Sequence, residues 1–189
     1  MAIIHRTTMS PTKLELLADW LPRQPWYEAG GGAPEPVKAG GFRLDDPEGE
    51  VGIEFMVVTD ASAAYLVPLT YRGAPLEGAA GEALIGTSEH GVLGTRWIYD
   101  GVHDPVLAAQ VLALFRGEAE PQAQSESDAP DPTVLRAGAE LPAAAAFADL
   151  TVSRRLTPLT GPAPAAAHVT APWRAPDGAE ARGVFFTAG

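Results

Sequence analysis

Hydrophobic positions recur along this chain first at helical and then at strand spacing. Leu14, Leu17 and Leu21 fall on one face with Trp20 beside them, while Lys13, Glu15 and Asp19 point to water, which predicts an amphipathic helix over Pro11–Leu21. Ser10 and Pro11 read as its N-cap and first residue, because a serine oxygen accepts an orphan amide and proline has none to lose. Pro22 ends it.

A Gly- and Pro-rich stretch from Gly30 to Gly41 reads as a mobile surface loop. Two alternating runs follow. Val51–Asp60 sets Ile53, Phe55 and Val57 against Glu54, Met56 and Val58, and Ala64–Arg72 sets Tyr65, Val67, Leu69 and Tyr71 against Leu66, Pro68 and Thr70. They predict an antiparallel hairpin closed at Asp60–Ala63, with Pro68 at an edge or bonded only through its other side. After a second expected loop, Gly73–Gly86, the run Arg96–Asp100 reads as a strand with Trp97 and Tyr99 on one face. Asp104-Pro105 repeats the cap-plus-proline signature. The helix to Arg116 carries Leu107, Val111 and Leu114 on one side, and Gly117 stops it.

The pattern then changes. Residues 118–132 hold five acidic residues, three prolines and no basic one, an acidic linker expected to be disordered. Short strands are predicted at Thr151–Leu156, His168–Trp173 and Arg182–Thr187, with Pro176-Asp177-Gly178 as a hairpin turn. The expected architecture is α+β: a small curved antiparallel sheet flanked by two helices over 1–117, the linker over 118–132, and a small β-rich segment over 133–189 packed on the first part.

Composition narrows the function. With 24 acidic and 13 basic residues the net charge is −11, and the two lysines, Lys13 and Lys38, form no basic stripe, so nucleic acid and anionic lipid are not expected partners. No cysteine occurs, which removes thiol chemistry and fits a cytoplasmic setting. The first eleven residues, with only Ile3 and Ile4 apolar beside His5 and Arg6, lack a signal peptide's hydrophobic region. No window is long and apolar enough to span a membrane.

Candidate chemistry is sparse. The four histidines, His5, His90, His103 and His168, show no metal-ligand spacing. Asp104 beside His103 is explained by helix capping before general-base work. Asp45, Asp46, Glu48 and Glu50 lack calcium-loop spacing and read as a solvated turn. Gly30-Gly31-Gly32 is followed by no Lys-Ser or Lys-Thr pair. Ser88-Glu89-His90 reads as loop chemistry, since adjacency along a chain is not a triad. No catalytic, metal-binding or cofactor-binding residue is assigned, and no cofactor is expected. Trp20, Trp26 and Tyr27 allow two readings, a staple that fixes the helix end to the sheet or a stack for a sugar ring.

The stretch Trp20-Leu21-Pro22-Arg23-Gln24-Pro25-Trp26-Tyr27 resembles the Trp-Leu-x-x-Gln-x-Trp-Tyr opening of the actinobacterial maltokinases. Tyr65-Leu66-Val67-Pro68-Leu69, Ile85-Gly86 and Trp97-Ile98-Tyr99-Asp100 with the following helix are similar to later pieces of that family's N-terminal cap, over about residues 10–116. In that family the cap precedes a kinase body that uses ATP and magnesium to phosphorylate a sugar. These 189 residues hold no counterpart of its His-x-Asp catalytic segment, and no asparagine to bind metal. The resemblance therefore implies a non-catalytic, cap-like protein that works by contact with a trehalose, maltose or α-glucan enzyme, with Trp20, Arg23, Gln24, Trp26 and Tyr27 as ligand or partner surface. A sugar-binding protein using the same aromatic group is the alternative.

Overall fold

The computed structural model describes residues 9–125 and 129–189; His5, Arg6 and the Ile3-Ile4 pair lie outside them, as do Glu126, Ser127 and Asp128 of the expected linker. An open, mostly antiparallel sheet with two short helices results. Its strands are β1 (Met9–Ser10), β2 (Val37–Leu44), β3 (Gly52–Asp60), β4 (Ala63–Arg72), β5 (Leu84–His90), β6 (Gly94–Asp100), β7 (Gln122–Ala123), β8 (Leu135–Ala137), β9 (Leu150–Val152), β10 (Arg155–Leu156), β11 (His168–Arg174) and β12 (Glu180–Ala188). Their main order is β1-β5-β6-β4-β3-β2-β11-β12-β9.

The expected hairpin is present in register, from Asp60 opposite Ala63 to Gly52 opposite Tyr71. Alternation sends its side chains to two separate cores. Met56, Val58, Tyr65, Val67 and Leu69 pack under helix α1 (Lys13–Trp20) through Leu17, Trp20 and Leu21, with Ile85 and Ile98 beside them. Phe55, Val57 and Leu66 face the other way, onto Phe42, helix α2 (Pro105–Arg116) and the C-terminal Trp173, Phe185 and Phe186. Each fully buried side chain of this size contributes about 1.5–3 kcal/mol.

Helix α2 begins and ends as the pattern predicts. Asp104 accepts the Val106 amide at 2.9 Å, Leu107, Val111 and Leu114 are buried, and Gly117 closes the helix in a left-handed conformation. Helix α1 starts later than expected. Ser10 and Pro11 are not its cap: Ser10 pairs with Glu89 in the sheet, and Thr12 caps the helix in a reciprocal box with Glu15. Lys13, expected in water, turns inward to Glu54. Pro22 does not break the chain sharply but sits in a 3-10 turn, Leu21–Arg23, where its missing amide has no partner to lose.

The last five residues of the expected glycine loop, from Val37 on, are strand. Gly40 and Gly41 lie in β2 at φ 152 and 127, and a Cβ on Gly41 would stand 2.1 Å from the Phe55 carbonyl oxygen. Glycine here serves close approach in a bulged strand, not mobility. Likewise β5 occupies part of the stretch expected as loop; its only buried side chains are Ile85 and Ser88, too few to register as alternation. Of the acidic stretch, Gln122 and Ala123 pair with Arg43 and Phe42, so this part is sheet edge rather than disordered. Charge counting overlooked its two glutamines.

At its C-terminal end the sheet is joined to the first strands twice. Trp173 pairs with Gly40, and β10 pairs with β4 through Arg155 opposite Tyr65 and Leu156 opposite Ala64. Leu66 donates its amide to the Arg154 carbonyl at 2.9 Å, whereas β6 begins pairing only at Leu69. Pro68, two residues on, therefore aims its ring nitrogen into the interval between β10 and β6. That resolves how a proline lies within an inner strand.

Candidate functional site

The Trp20–Tyr27 stretch leaves α1 through the 3-10 turn and lies against β4. Gln24 donates its side-chain amide to the Trp20 carbonyl, and the Tyr27 backbone amide bonds the Gln24 carbonyl. Trp20 is 1% exposed, so it belongs to the core and not to a surface as expected; its neighbours Leu17 and Leu21 draw it beneath the helix. Arg23 is exposed, and Gln24, Trp26 and Tyr27 are partly so.

These rings form a connected cluster. Trp26 meets Trp20 edge to face at 5.7 Å and Tyr65 at 5.8 Å, and Tyr27 meets Tyr65 at 5.4 Å. The Tyr27 hydroxyl donates to Asp60 at 2.5 Å; burial first, then the Asp60 carboxylate, pushes its pKa up to about 12. The staple reading accounts for all of these contacts.

From the far end of the chain, Arg154 lies over the Trp26 ring at 5.1 Å and donates to the buried Asp100 carboxylate at 2.5 Å. Arg155 pairs with Glu28 just beyond Tyr27. His103 Nε2 stands 4.0 Å from the same Asp100 carboxylate and is half exposed. Nothing local in the sequence signals that Arg154 and Arg155 reach back to the aromatic stretch.

A second polar centre lies under α1. Glu54 is buried in the hairpin and accepts from Lys13 at 2.8 Å, Tyr71 at 2.5 Å and Gln124 at 2.7 Å. Burial alone would raise its carboxyl, but Lys13 and these three hydrogen bonds outweigh it and hold the pKa below the ordinary value. Tyr71 is pushed far up, by burial and then by Glu54. Lys38 is drawn down, chiefly by desolvation, and touches Ser125.

The remaining candidates resolve into local structure. Arg72 grips Asp104 with two bonds of 2.7 Å; burial opposes ionisation of Asp104, yet Arg72 and the Val106 amide keep its pKa low. Both carboxylate oxygens of Asp104 are thus taken up by Arg72 and the Val106 amide, and His103 faces Asp100 instead. Asp46 accepts the amides of Glu48, Glu50 and Val51, which makes the acidic cluster a turn. Ser88 donates to the Pro11 carbonyl, Glu89 accepts from Thr95, and His90 Nδ1 accepts the Val92 and Leu93 amides, so the three form no relay. His168 is buried with Nδ1 on the Ala166 carbonyl. Among the described residues, no group of three or more His, Asp or Glu converges to hold a metal, and no helix is long and apolar enough to cross a membrane.

No curated protein matches the chain. The aromatic stretch, β2 to β6 and the Asp104 cap together fall within residues 20–104, which match the family described as the maltokinase N-terminal cap domain.

Proposed function

We propose that the protein acts by contact rather than by catalysis, as a cytoplasmic cap-type module serving an enzyme of trehalose, maltose or α-glucan metabolism. The observation that carries this reading is the cap-domain match over residues 20–104. The contact surface is the turn after α1: Arg23 and the exposed parts of Gln24, Trp26 and Tyr27, held rigid by the packing of Trp20 and Tyr65 beneath them. Rigid, amphipathic aromatics beside an arginine are what binding hot spots use. The net charge of −11 favours a basic partner surface.

Surface plasmon resonance with the immobilised full chain against purified maltokinase, trehalose synthase and glycogen branching enzyme tests it. Saturable binding to one of them, weakened by Arg23→Glu, is expected; three flat responses overturn the partner assignment. Transfer of phosphate from ATP to maltose by the purified chain, with contaminating kinases excluded, overturns the non-catalytic part.

A second reading, sugar binding at this same surface, has in its favour the partial exposure of Trp26 and Tyr27. Trp20 has no accessible face to offer, and Arg154 covers part of Trp26. Titration with maltose, trehalose and glucosamine while following tryptophan fluorescence decides it, and an unchanged spectrum with all three retires it.

A further inference from the structure

The chain has two lysines, Lys13 and Lys38, and the fold brings both to the same face of the sheet. Lys38 pairs with Val58 across β2 and β3, and Glu54 lies on the Val58 side of β3 because side chains alternate with a period of two. Val58 packs under α1, whose first residue is Lys13. Two amines therefore share the face that carries Glu54.

Lys13 is the one that holds it. Its Nζ lies 2.8 Å from Glu54 Oε2 and 5.6 Å from the centre of the Tyr71 ring, while Tyr71 and Gln124 donate to the same carboxylate. Other charged groups of this face are engaged as well: Asp60 accepts from the Tyr27 hydroxyl and the Glu35 amide, and Arg43, opposite Glu54, reaches Asp45 at 3.9 Å. Among the described residues, Lys38 meets the Ser125 hydroxyl, 3.4 Å from its Nζ.

The two amines consequently differ in chemistry. Lys13 is an ammonium tied to a carboxylate, and neutralising it would strand Glu54 in the core, which is costly. Lys38 is exposed, so a reagent reaches it, yet desolvation is the largest influence on its amine. Glu54 works against that influence and Lys13 adds to it, and the balance holds the pKa below the ordinary lysine value. Free amine is the form that attacks a carbonyl carbon, and desolvation beside another cation is one way in which a lysine nucleophile is activated.

The product selects the reagent. A carbamate would exchange one desolvated charge for another and set it on the face of Glu54, whereas an amide is neutral and relieves both the desolvation and the repulsion by Lys13.

We propose that Lys38 is a modification site, acylated by an activated acyl donor, either an acyl phosphate or an acyl thioester. The nitrogen lone pair forms the C–N bond to the acyl carbon, the C–O or C–S bond of the donor breaks, and the leaving group departs with that electron pair as phosphate or thiolate. The extra proton on nitrogen passes to water, and nothing is oxidised or reduced. The proposal does not use the contact surface after α1, so it stands apart from the partner reading.

The test is incubation of the folded full chain with acetyl phosphate, and separately with acetyl-coenzyme A, at about pH 8, where an ordinary lysine is almost wholly protonated. Cleavage after glutamate followed by mass spectrometry tells the two lysines apart, because Glu15, Glu28 and Glu35 lie between them. Acetylation at Lys38 at least about tenfold faster than at Lys13 is expected with one donor or both, and faster than at the ε-amine of Nα-acetyl-lysine amide. In concentrated urea the two rates should converge. Lys13→Arg keeps the cation and should leave the Lys38 rate unchanged, whereas Lys13→Gln frees Glu54 to pair with Lys38 and should slow it about threefold or more. Circular dichroism shows which variants fold, and wild type with Lys13→Arg decides alone should Lys13→Gln not. Equal rates at the two lysines of the folded chain, rates that stay apart in urea, a Lys38 rate at or below that of the free derivative, no reaction with either donor, a slower Lys38 in Lys13→Arg, or an unslowed one in folded Lys13→Gln would each overturn it.

Discussion

Arg154 stacks on Trp26 at 5.1 Å, and in doing so joins the first aromatic stretch of the chain to a residue more than a hundred positions away. The same guanidinium neutralises Asp100, whose side chain is 5% exposed. A buried carboxylate left without its partner is costly, more so than the pair is favourable. Trp26 and Asp100 lie inside the cap-domain match and Arg154 outside it, so the C-terminal stretch is built into the cap rather than appended to it.

Replacing Arg154 with alanine should therefore destabilise the protein by about 3–5 kcal/mol, mostly by stranding Asp100. Urea denaturation measures the loss. Arg154→Ala combined with Asp100→Asn should recover part of it, whereas equal instability of the single and double variants would show that the ion pair is not the cause. The emission of Trp26 should shift to the red in both.

The sequence makes the β3–β4 hairpin and α2 legible because each satisfies several local rules at once. Alternation, turn position and register agree from Asp60 to Tyr71, and Asp104, Pro105 and Gly117 bracket α2 at both ends. Where one signal serves two purposes, reading fails. Ser10-Pro11 has the chemistry of a helix start, but β5 claims Ser10 as a strand partner, and Thr12, with Glu15 three residues on, carries the cap. Gly40 and Gly41 look like loop until Trp173 and the Phe55 carbonyl are seen beside them.

Glu54 should make stability fall in acid. Its pKa is lower in the folded chain than in the unfolded one, so its contribution is present above the unfolded value, near 4.5, and is lost as pH falls through the lower folded value. Urea midpoints of the wild type should drop below about pH 5 more steeply than those of Glu54→Gln. Parallel curves would mean that the contacts of Lys13, Tyr71 and Gln124 do not bias its ionisation.

The candidate site was legible only in part. The Trp20–Tyr27 stretch stands out by composition and fixes where the aromatics gather, but not which face water: Trp20 is internal, whereas Arg23 is exposed. Arg154, Arg155 and Gln124 reach it or its neighbouring hairpin from remote positions through side chains, and such long-range pairing leaves no periodic trace.

Thr12 and Ser10 offer a sharp local comparison. Thr12→Ala removes a side chain that accepts the Glu15 amide in a reciprocal box, and should cost about 1 kcal/mol. Ser10→Ala touches an exposed edge position and should change stability by less than about 0.5 kcal/mol. Thermal melts of the two variants check the order, and a larger loss at Ser10 would return the cap to where the sequence first suggests it.

Gly41 provides the most severe test of the sheet. Its φ of 127 lies where residues with a side chain are strained, and an added Cβ would meet the Phe55 carbonyl oxygen at 2.1 Å, well inside contact distance. The obstacle is backbone of the paired strand, so relief requires moving β3 away from β2 and with it Phe42 and Phe55, stacked at 4.6 Å in the core. Gly41→Ala should accordingly lose at least about 2 kcal/mol or prevent folding altogether, by strain and lost packing together. Gly32 is the matched control, with ordinary φ and nothing within 4 Å of an added Cβ, and Gly32→Ala should be neutral or slightly stabilising through the unfolded chain. Soluble yield and urea midpoints of the two variants, measured side by side, separate the cases: indistinguishable behaviour would mean that β2 does not approach β3 this closely, and the register that carries Phe42 into the core would have to be redrawn.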